Sequence, residues 1–133
     1  MKTVLILGAN SDVAKEAMQL YVGRGYQVIA ASRSLGEIDA FNAARGLPAE
    51  KITTRYFDAT AFGDHGAFYA ALPAKPHIVL YAAGFQVTND QALVDWPGTY
   101  RMIHTHYAGA VSILNLIVMD AANTHLERII GLS

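Results

Sequence analysis

Apolar and polar positions follow a repeating order along this chain. Thr3 to Leu7 (TVLIL) is an uncharged run of the length of a strand buried on both faces. Apolar residues then recur at Val13/Ala14, Ala17/Met18 and Tyr21/Val22, one helix face at a spacing of four, before Gly23 and Gly25 stop the pattern. Tyr26 to Ala31 is a second apolar run and therefore a second strand. Read in the same way to the end, the pattern predicts strands at 2–8, 26–32, 52–57, 77–82 and 128–132, with helices at 12–23, 35–45, 61–71 and 98–123. Strand alternating with helix implies right-handed crossovers and a doubly wound parallel sheet of three layers (αβα). The expected strand order is 3-2-1-4-5, which reverses the winding between strands one and four and opens a crevice at their C-terminal ends.

The turn between the first strand and helix carries the first candidate chemistry. Gly8-Ala9-Asn10-Ser11 are small or turn-prone, so backbone can approach a phosphate closely, and Asp12 stands where a helix N-cap is expected. Free amides and the dipole at that helix start suit a pyrophosphate. A dinucleotide fingerprint has three glycines; here Gly8 fills the first slot, while Asp12 and Ala14 fill the others. Ala suits the third slot, where close helix–strand packing is the requirement. Gly84, after the fourth strand, lies at the same predicted edge as Gly8.

With these residues in place, the chain resembles the short-chain dehydrogenase/reductase family over its whole length. The family's opening T-G-x-x-x-G-x-G falls on Leu7 to Ala14 with three departures. Its Asp beside the adenine ring falls on Asp58, and its N-N-A-G falls on Tyr81-Ala82-Ala83-Gly84. Its Asn-x-x-Gly pair falls on His106 and Gly109, so His replaces the Asn that supports a water and proton path; a His packed in the helix against a backbone carbonyl is the alternative. The resemblance implies a Rossmann-like cofactor domain, with Gly8, Asn10, Ser11, Asp12, Val13, Ser32, Arg33, Asp58, Ala59, Ala82, Ala83 and Gly84 as cofactor-binding candidates. Ser133 falls at or one place before the family's catalytic Ser, which makes Ser133 and His106 the catalytic candidates. None of the seven tyrosines has Lys four residues on, so the family's Tyr-x-x-x-Lys proton-transfer pair is absent from this chain.

Cofactor choice rests on the end of the second strand. An acid there binds a ribose 2′-hydroxyl and repels a 2′-phosphate. This chain has Ser32-Arg33-Ser34 and no acid until Glu37, which favours NADP over NAD.

Composition narrows the alternatives. At 133 residues, 53% hydrophobic and 16% charged, the chain fits a single α/β domain with a heavily buried sheet. A formal net charge of −1 gives no electrostatic case for nucleic acid or an anionic membrane. Zero cysteines exclude disulfides, thiolate nucleophiles and Cys-ligated metal, and fit a cytoplasmic protein. The five histidines suggest no metal site: His104 and His106 point apart on a helix, and His65, His77 and His125 read as isolated turn or edge residues. Residues 102–122 carry too many polar groups for an easy membrane span.

The expected function is an NADP(H)-dependent oxidoreductase passing hydride between a dinucleotide and a small carbonyl or alcohol, this chain being the cofactor-binding part. The alternative is a dinucleotide-binding sensor or interaction scaffold without catalysis. The 98–123 helix is apolar on more than one face and the fifth strand is an apolar edge, so the missing partner is either the rest of a longer reductase or a second copy. The linker from Phe85 to Gly98 reads as a border of the cofactor and substrate mouth or as a surface loop with Trp96 packed on the long helix.

Overall fold

A computed structural model describes residues 1–84 and 94–132. Strand β1 (Thr3–Leu7) is buried along its whole length because it lies at the centre of the sheet. It pairs in parallel with β2 (Gln27–Ser32) on one side, Val4 opposite Val28, and with β4 (Ile78–Tyr81) on the other, Val4 opposite Ile78. β3 (Ile52–Tyr56) adds beyond β2 and β5 (Arg128–Gly131) beyond β4, giving the expected order β3-β2-β1-β4-β5.

The pleat sorts the strand residues into two cores. Val4, Ile6, Val28, Ala30, Ile78 and Leu80 face α1 (Asp12–Gly23) and α2 (Leu35–Arg45), which bury Ala14, Met18 and Ile38 against them. Leu5, Leu7, Ile29, Ala31, Val79 and Tyr81 face the other way, toward Phe57 and toward Ile113 and Ile117 of α5 (Gly109–Val118). Helices on both faces complete the three layers, which explains why these strands are continuously apolar and not alternating.

Several local expectations change. Ser11, not Asp12, caps α1: its Oγ accepts from the Ala14 N–H, and Asp12 is the first helical residue. The Ser11 hydroxyl closes one orphan amide of the first turn, and the Lys15 N–H, the amide within reach of a cap at Asp12, donates to Ser11 O instead. The helix expected at 61–71 is a 3₁₀ turn (Phe62–Asp64) followed by the short α3 (His65–Ala70). The helix expected at 98–123 begins earlier and is interrupted. α4 (Trp96–Ile103) starts at an Asp95 cap, whose carboxylate accepts from the Gly98 N–H, with Pro97 in its first turn. A π-helical turn (His104–Ala108) joins α4 to α5. Trp96 is exposed and meets Tyr100 edge-on. Ile103, Tyr107, Val111 and Val118 on the outer side are also exposed.

The histidines are less isolated than their spacing suggests. His65 is 1% exposed and packed on Phe57. His77 and His125 stack with ring centres 3.9 Å apart at the start of β4, where His77 Nδ1 accepts from the Thr3 N–H. Tertiary packing brought these rings in from distant turns, which no spacing rule in the sequence reports. Among the described residues, no helix is long and apolar enough to cross a membrane, and no group of three His, Cys, Asp or Glu stands ready to hold a metal.

Candidate functional site

The C-terminal ends of β1, β2, β3 and β4 surround a cleft of about 370 Å³. Its floor is set by Gly8, whose φ of +87° belongs to the region that only glycine enters readily. Gly8 also meets the loop after β4 so closely that a Cβ would overlap the Ala83 N and Cα. The Gly8 and Ala9 N–H groups both donate to Ala31 O at 2.8 and 3.0 Å. These two amides are therefore taken up within the fold, and Gly8 serves the site through close approach and not as a donor.

The β2 end forms one wall. Asn10 Nδ2 donates to Ser32 Oγ (2.6 Å) and to Ser34 O (2.9 Å), and the Ser34 N–H also donates to Ser32 Oγ (3.1 Å). Ser32 thus accepts twice, which leaves its hydroxyl proton for an acceptor. Arg33 projects from this turn, exposed, and lines the cleft together with Ser32, Ser34 and Glu37. Asn10 Oδ1 is buried with no donor among the described residues.

The β3 end forms the facing wall. Asp58 Oδ1 accepts from both the N–H and the hydroxyl of Thr60, at 2.9 and 2.8 Å, locking the turn. Burial pushes the Asp58 carboxyl up, but the Thr60 hydrogen bonds and the charges of Arg33 and Arg101 outweigh it and hold the group below the usual carboxylate value. Behind the turn, the His65 ring sits between Asp58 O at its Nε2 (2.9 Å) and Ser112 Oγ at its Nδ1 (2.7 Å), tying the turn to α5.

A second cavity of about 390 Å³ shares Ser11, Ala82, Ala83 and Gly84 with the first and is lined further by Val13, His106 and Leu132. Its far wall comes from the π turn. Tyr81 donates its buried hydroxyl to Thr105 O (2.6 Å), and burial pushes that phenol up to about 12. Gly109 allows Ala59 O and the Tyr81 hydroxyl to approach where a Cβ would stand, 2.6 and 2.8 Å away.

The structure brings together in the first cleft Gly8, Asn10, Ser11, Ser32, Arg33, Asp58, Ala59, Ala82, Ala83 and Gly84, all expected from the sequence. Val13 and His106 line the second cavity. Asp12, exposed on the first turn of α1, lines neither. Ser133 and most of the 85–98 linker (residues 85–93) lie outside the described residues. Sequence reasoning missed Phe57, Thr60, Arg101 and Thr105 in the first cleft and His65 behind it. Thr60 had a signal, since Asp-x-Thr directly after a strand is a turn motif; Arg101 and Thr105 reach the cleft only through the course of α4 and the π turn.

A dinucleotide fits this donor set. Arg33 and the Ser32 hydroxyl supply charge and a donor for a phosphate. Asp58 and the orphaned Asn10 Oδ1 offer acceptors for base or ribose N–H and O–H groups. Ala82 to Gly84 form a small-residue floor on which flat rings can lie.

No family model matches the chain. An uncharacterized oxidoreductase of Mycobacterium tuberculosis, found in two strains, is 29% identical over 114 residues, covering 84% of this chain and 46% of the relative. The chain thus spans about half the length of the curated relatives it matches. Among solved structures, a short-chain dehydrogenase/reductase from Vibrio parahaemolyticus superposes with a TM-score of 0.84 at 18% identity, over 98% of this chain and 58% of that one. Serine dehydrogenase from Escherichia coli gives 0.84 at 19% identity, over 97% and 60%. ElxO with NADP bound gives 0.87 at 16% identity, over 99% and 55%. From β1 to β5, the chain has the fold of the short-chain dehydrogenase/reductase enzymes, across rather more than half of their length.

Proposed function

We propose that this chain binds a nicotinamide dinucleotide in the first cleft, NADP(H) in preference to NAD(H), as the cofactor-binding part of an oxidoreductase acting on a small carbonyl or alcohol. The observation that carries the reading is the β2 end: Ser32-Arg33-Ser34, knitted together by Asn10, presents cation and hydroxyl where a ribose 2′-substituent lies in this fold. Asp58 and the Asn10 carbonyl oxygen take the adenosine end, and the second cavity takes the nicotinamide end and the substrate. When bound, the cofactor supplies or accepts hydride. The chain's own residues hold it, with Gly8 and Ala83 setting the depth of the floor and His65 fixing the Asp58 turn from behind. Self-association through the exposed outer face of α4 and α5 belongs to the same reading.

A second reading, a dinucleotide-binding sensor or interaction scaffold without turnover, draws on the departures at Asp12, Tyr81 and His106 from the motifs the chain resembles. Calorimetric titration with NADPH and NADH tests the shared step. Arg33→Ala is expected to weaken NADPH by about 10- to 100-fold, the worth of hydrogen bonds to a charged group, and to change NADH by less than about threefold. Equal losses for both nucleotides would overturn the assignment of Arg33 to a 2′-phosphate, and binding of neither would overturn the dinucleotide reading. Turnover of a small aldehyde by this chain with NADPH would remove the scaffold reading.

A further inference from the structure

The helix that crosses the mouth of the sheet sets one stripe of residues against it. Arg101, Thr105 and Gly109 follow one another at a spacing of four. In a plain α-helix each such step turns the stripe by about 40°, so its two ends would face about 80° apart. The π turn at His104–Ala108 lies between those ends and, with its wider winding, takes up part of the drift. The contacts record the outcome. Gly109 packs on Ala59 O so tightly that a Cβ would stand 2.6 Å from that oxygen. Thr105 O accepts from the buried Tyr81 hydroxyl, and Thr105 lines the first cleft. Arg101 lines the same cleft. Tyr100, Ile103 and Tyr107 are left exposed.

The cleft therefore holds two arginines from different layers of the fold, Arg33 from a strand end and Arg101 from a helix. Their surroundings differ in chemistry. Arg33 stands in the turn of Ser32 and Ser34, where Ser32 accepts twice and keeps a hydroxyl proton to give. That set suits a phosphate. Arg101 stands near enough to Asp58 for its charge to act on the carboxyl. Burial pushes Asp58 up, and the Thr60 hydrogen bonds with the charges of Arg33 and Arg101 hold it below the usual value. The Thr60 N–H and hydroxyl both donate to Asp58 Oδ1, so this turn uses its donors on its own carboxylate and offers an acceptor. An anion gains little beside a carboxylate, whereas a base with an exocyclic amino group can donate to it. A guanidinium in that corner is planar and weakly hydrated, which suits it to the face of an aromatic ring.

We infer that Arg101 is a base-binding residue of the first cleft, its guanidinium lying on the face of a purine whose exocyclic amino group donates to Asp58. The inference rests on the dinucleotide reading above and adds a wall to the adenosine end, supplied by α4. It gives the two arginines separate tasks. Arg33 answers to the 2′-phosphate and so separates NADP(H) from NAD(H). Arg101 answers to the base, which both nucleotides share, and so sets the affinity for both alike. The π turn has a task in the same scheme, since an unbroken α-helix with Gly109 seated on Ala59 O would swing Arg101 away from the cleft.

The test is calorimetry with NADPH and NADH on Arg101→Ala and Arg101→Lys, joined to NMR of the unsubstituted chain with and without saturating NADH. Both variants are expected to lose affinity for NADPH and NADH by the same factor, about 5- to 30-fold, because lysine keeps the charge and not the plane. In the NMR spectra the Arg101 Hδ signals, identified by their loss in Arg101→Lys, are expected to move upfield on binding, through the ring current of the purine. A role confined to the fold would produce no such shift. Unchanged affinity in Arg101→Lys would reduce Arg101 to a point charge and overturn the inference. A loss confined to NADPH would overturn it by assigning Arg101 to the 2′-phosphate, and Hδ signals unmoved by bound NADH would overturn it by placing no ring on the guanidinium. In each of these results the unsubstituted chain still binds, so the dinucleotide reading stands. Binding of neither nucleotide by the unsubstituted chain would overturn both.

Discussion

Replacing Gly8 by alanine separates two physical costs that glycine avoids at the floor of the cleft. The first is conformational. At φ +87° an L-residue meets its own backbone, at roughly 1–2 kcal/mol. The second is steric. The new Cβ would overlap the Ala83 N and Cα and stand 2.7 Å from the Ala82 carbonyl carbon. These are backbone atoms of a loop anchored by the Ala82 N–H donating to Leu7 O, so no side-chain rotation relieves the clash. Forced overpacking of this kind costs typically about 1–3 kcal/mol. The sum, roughly 2–5 kcal/mol, is a large part of the roughly 5–15 kcal/mol that holds a domain of this size together.

Two other glycines isolate the terms. Gly46 has φ +64° at the end of α2 with nothing within 4 Å of its Cβ position, so Gly46→Ala should cost the conformational term alone, about 1–2 kcal/mol. Gly36 lies in the first turn of α2 with open space and no positive φ, so Gly36→Ala should be neutral or stabilise by up to about 1 kcal/mol. Urea unfolding followed by far-ultraviolet circular dichroism gives all three, with unchanged m values as the check that only the folded state is altered. A Gly8→Ala loss no larger than that of Gly46→Ala would refute the claim that the β1 turn and the β4 loop are in hard contact. Calorimetry on the same variant should show weakened NADPH binding, because the Ala82–Gly84 loop that the new Cβ displaces lines the cleft.

Tyr81→Phe removes a buried hydrogen bond to Thr105 O and should cost about 1–3 kcal/mol in the same urea assay. Ultraviolet titration should find the Tyr81 phenol ionising at about 12, its contribution to stability complete below about pH 10 and lost as the pH rises through about 12; ionisation near 10 would contradict its burial. At the opposite end of the sheet, hydrogen bonds from Lys75 and then Tyr69 hold the Asp120 carboxyl down at about 2. Its contribution is therefore present above the ordinary value of 3.8 and lost as the pH falls through about 2. Asp120→Asn should flatten the acid limb of the thermal-melting profile between these values, and an unchanged limb would refute the pairing.

The sheet was legible because its signal is local and redundant. The three central strands β1, β2 and β4 are uncharged runs, and α1 repeats apolar residues at the helical period, so order, direction and burial followed together. The cleft was legible where it is built from strand ends: Gly8, Ser32, Arg33, Asp58 and Ala82 to Gly84 are fixed once the strand order is fixed. What stayed hidden depends on contacts between distant segments. His65 reads as a surface-turn residue, yet it is buried because Phe57 and Ser112 close over it from β3's end and from α5. The π turn at His104–Ala108 left no mark in the sequence either, since its cause is a tyrosine hydroxyl on β4 and not a proline or glycine inside the turn.

The departures from the family's opening motif become intelligible through the contacts that shape the cleft. Three close approaches run in series around it. Gly8 touches Ala83, Gly84 touches the His106 ring, and Gly109 touches Ala59 O and the Tyr81 hydroxyl. Together they link the turn after β1 to the loop after β4, that loop to the long helix, and the helix back to the turn after β3. Each link needs a residue without a Cβ at one point, and each of those three points holds glycine. The slots where the motif is broken carry no such demand: Asp12 is exposed and lines neither cavity, and Ala14 is small enough to be fully buried against the sheet. Tyr81 departs from the first asparagine of the N-N-A-G motif and yet gains a task, anchoring the π turn through Thr105 O. The shape of the site therefore follows from which positions must lack a side chain more closely than from how many residues match a written motif, and this accounts for a cleft that closes normally around a fingerprint with one glycine of three.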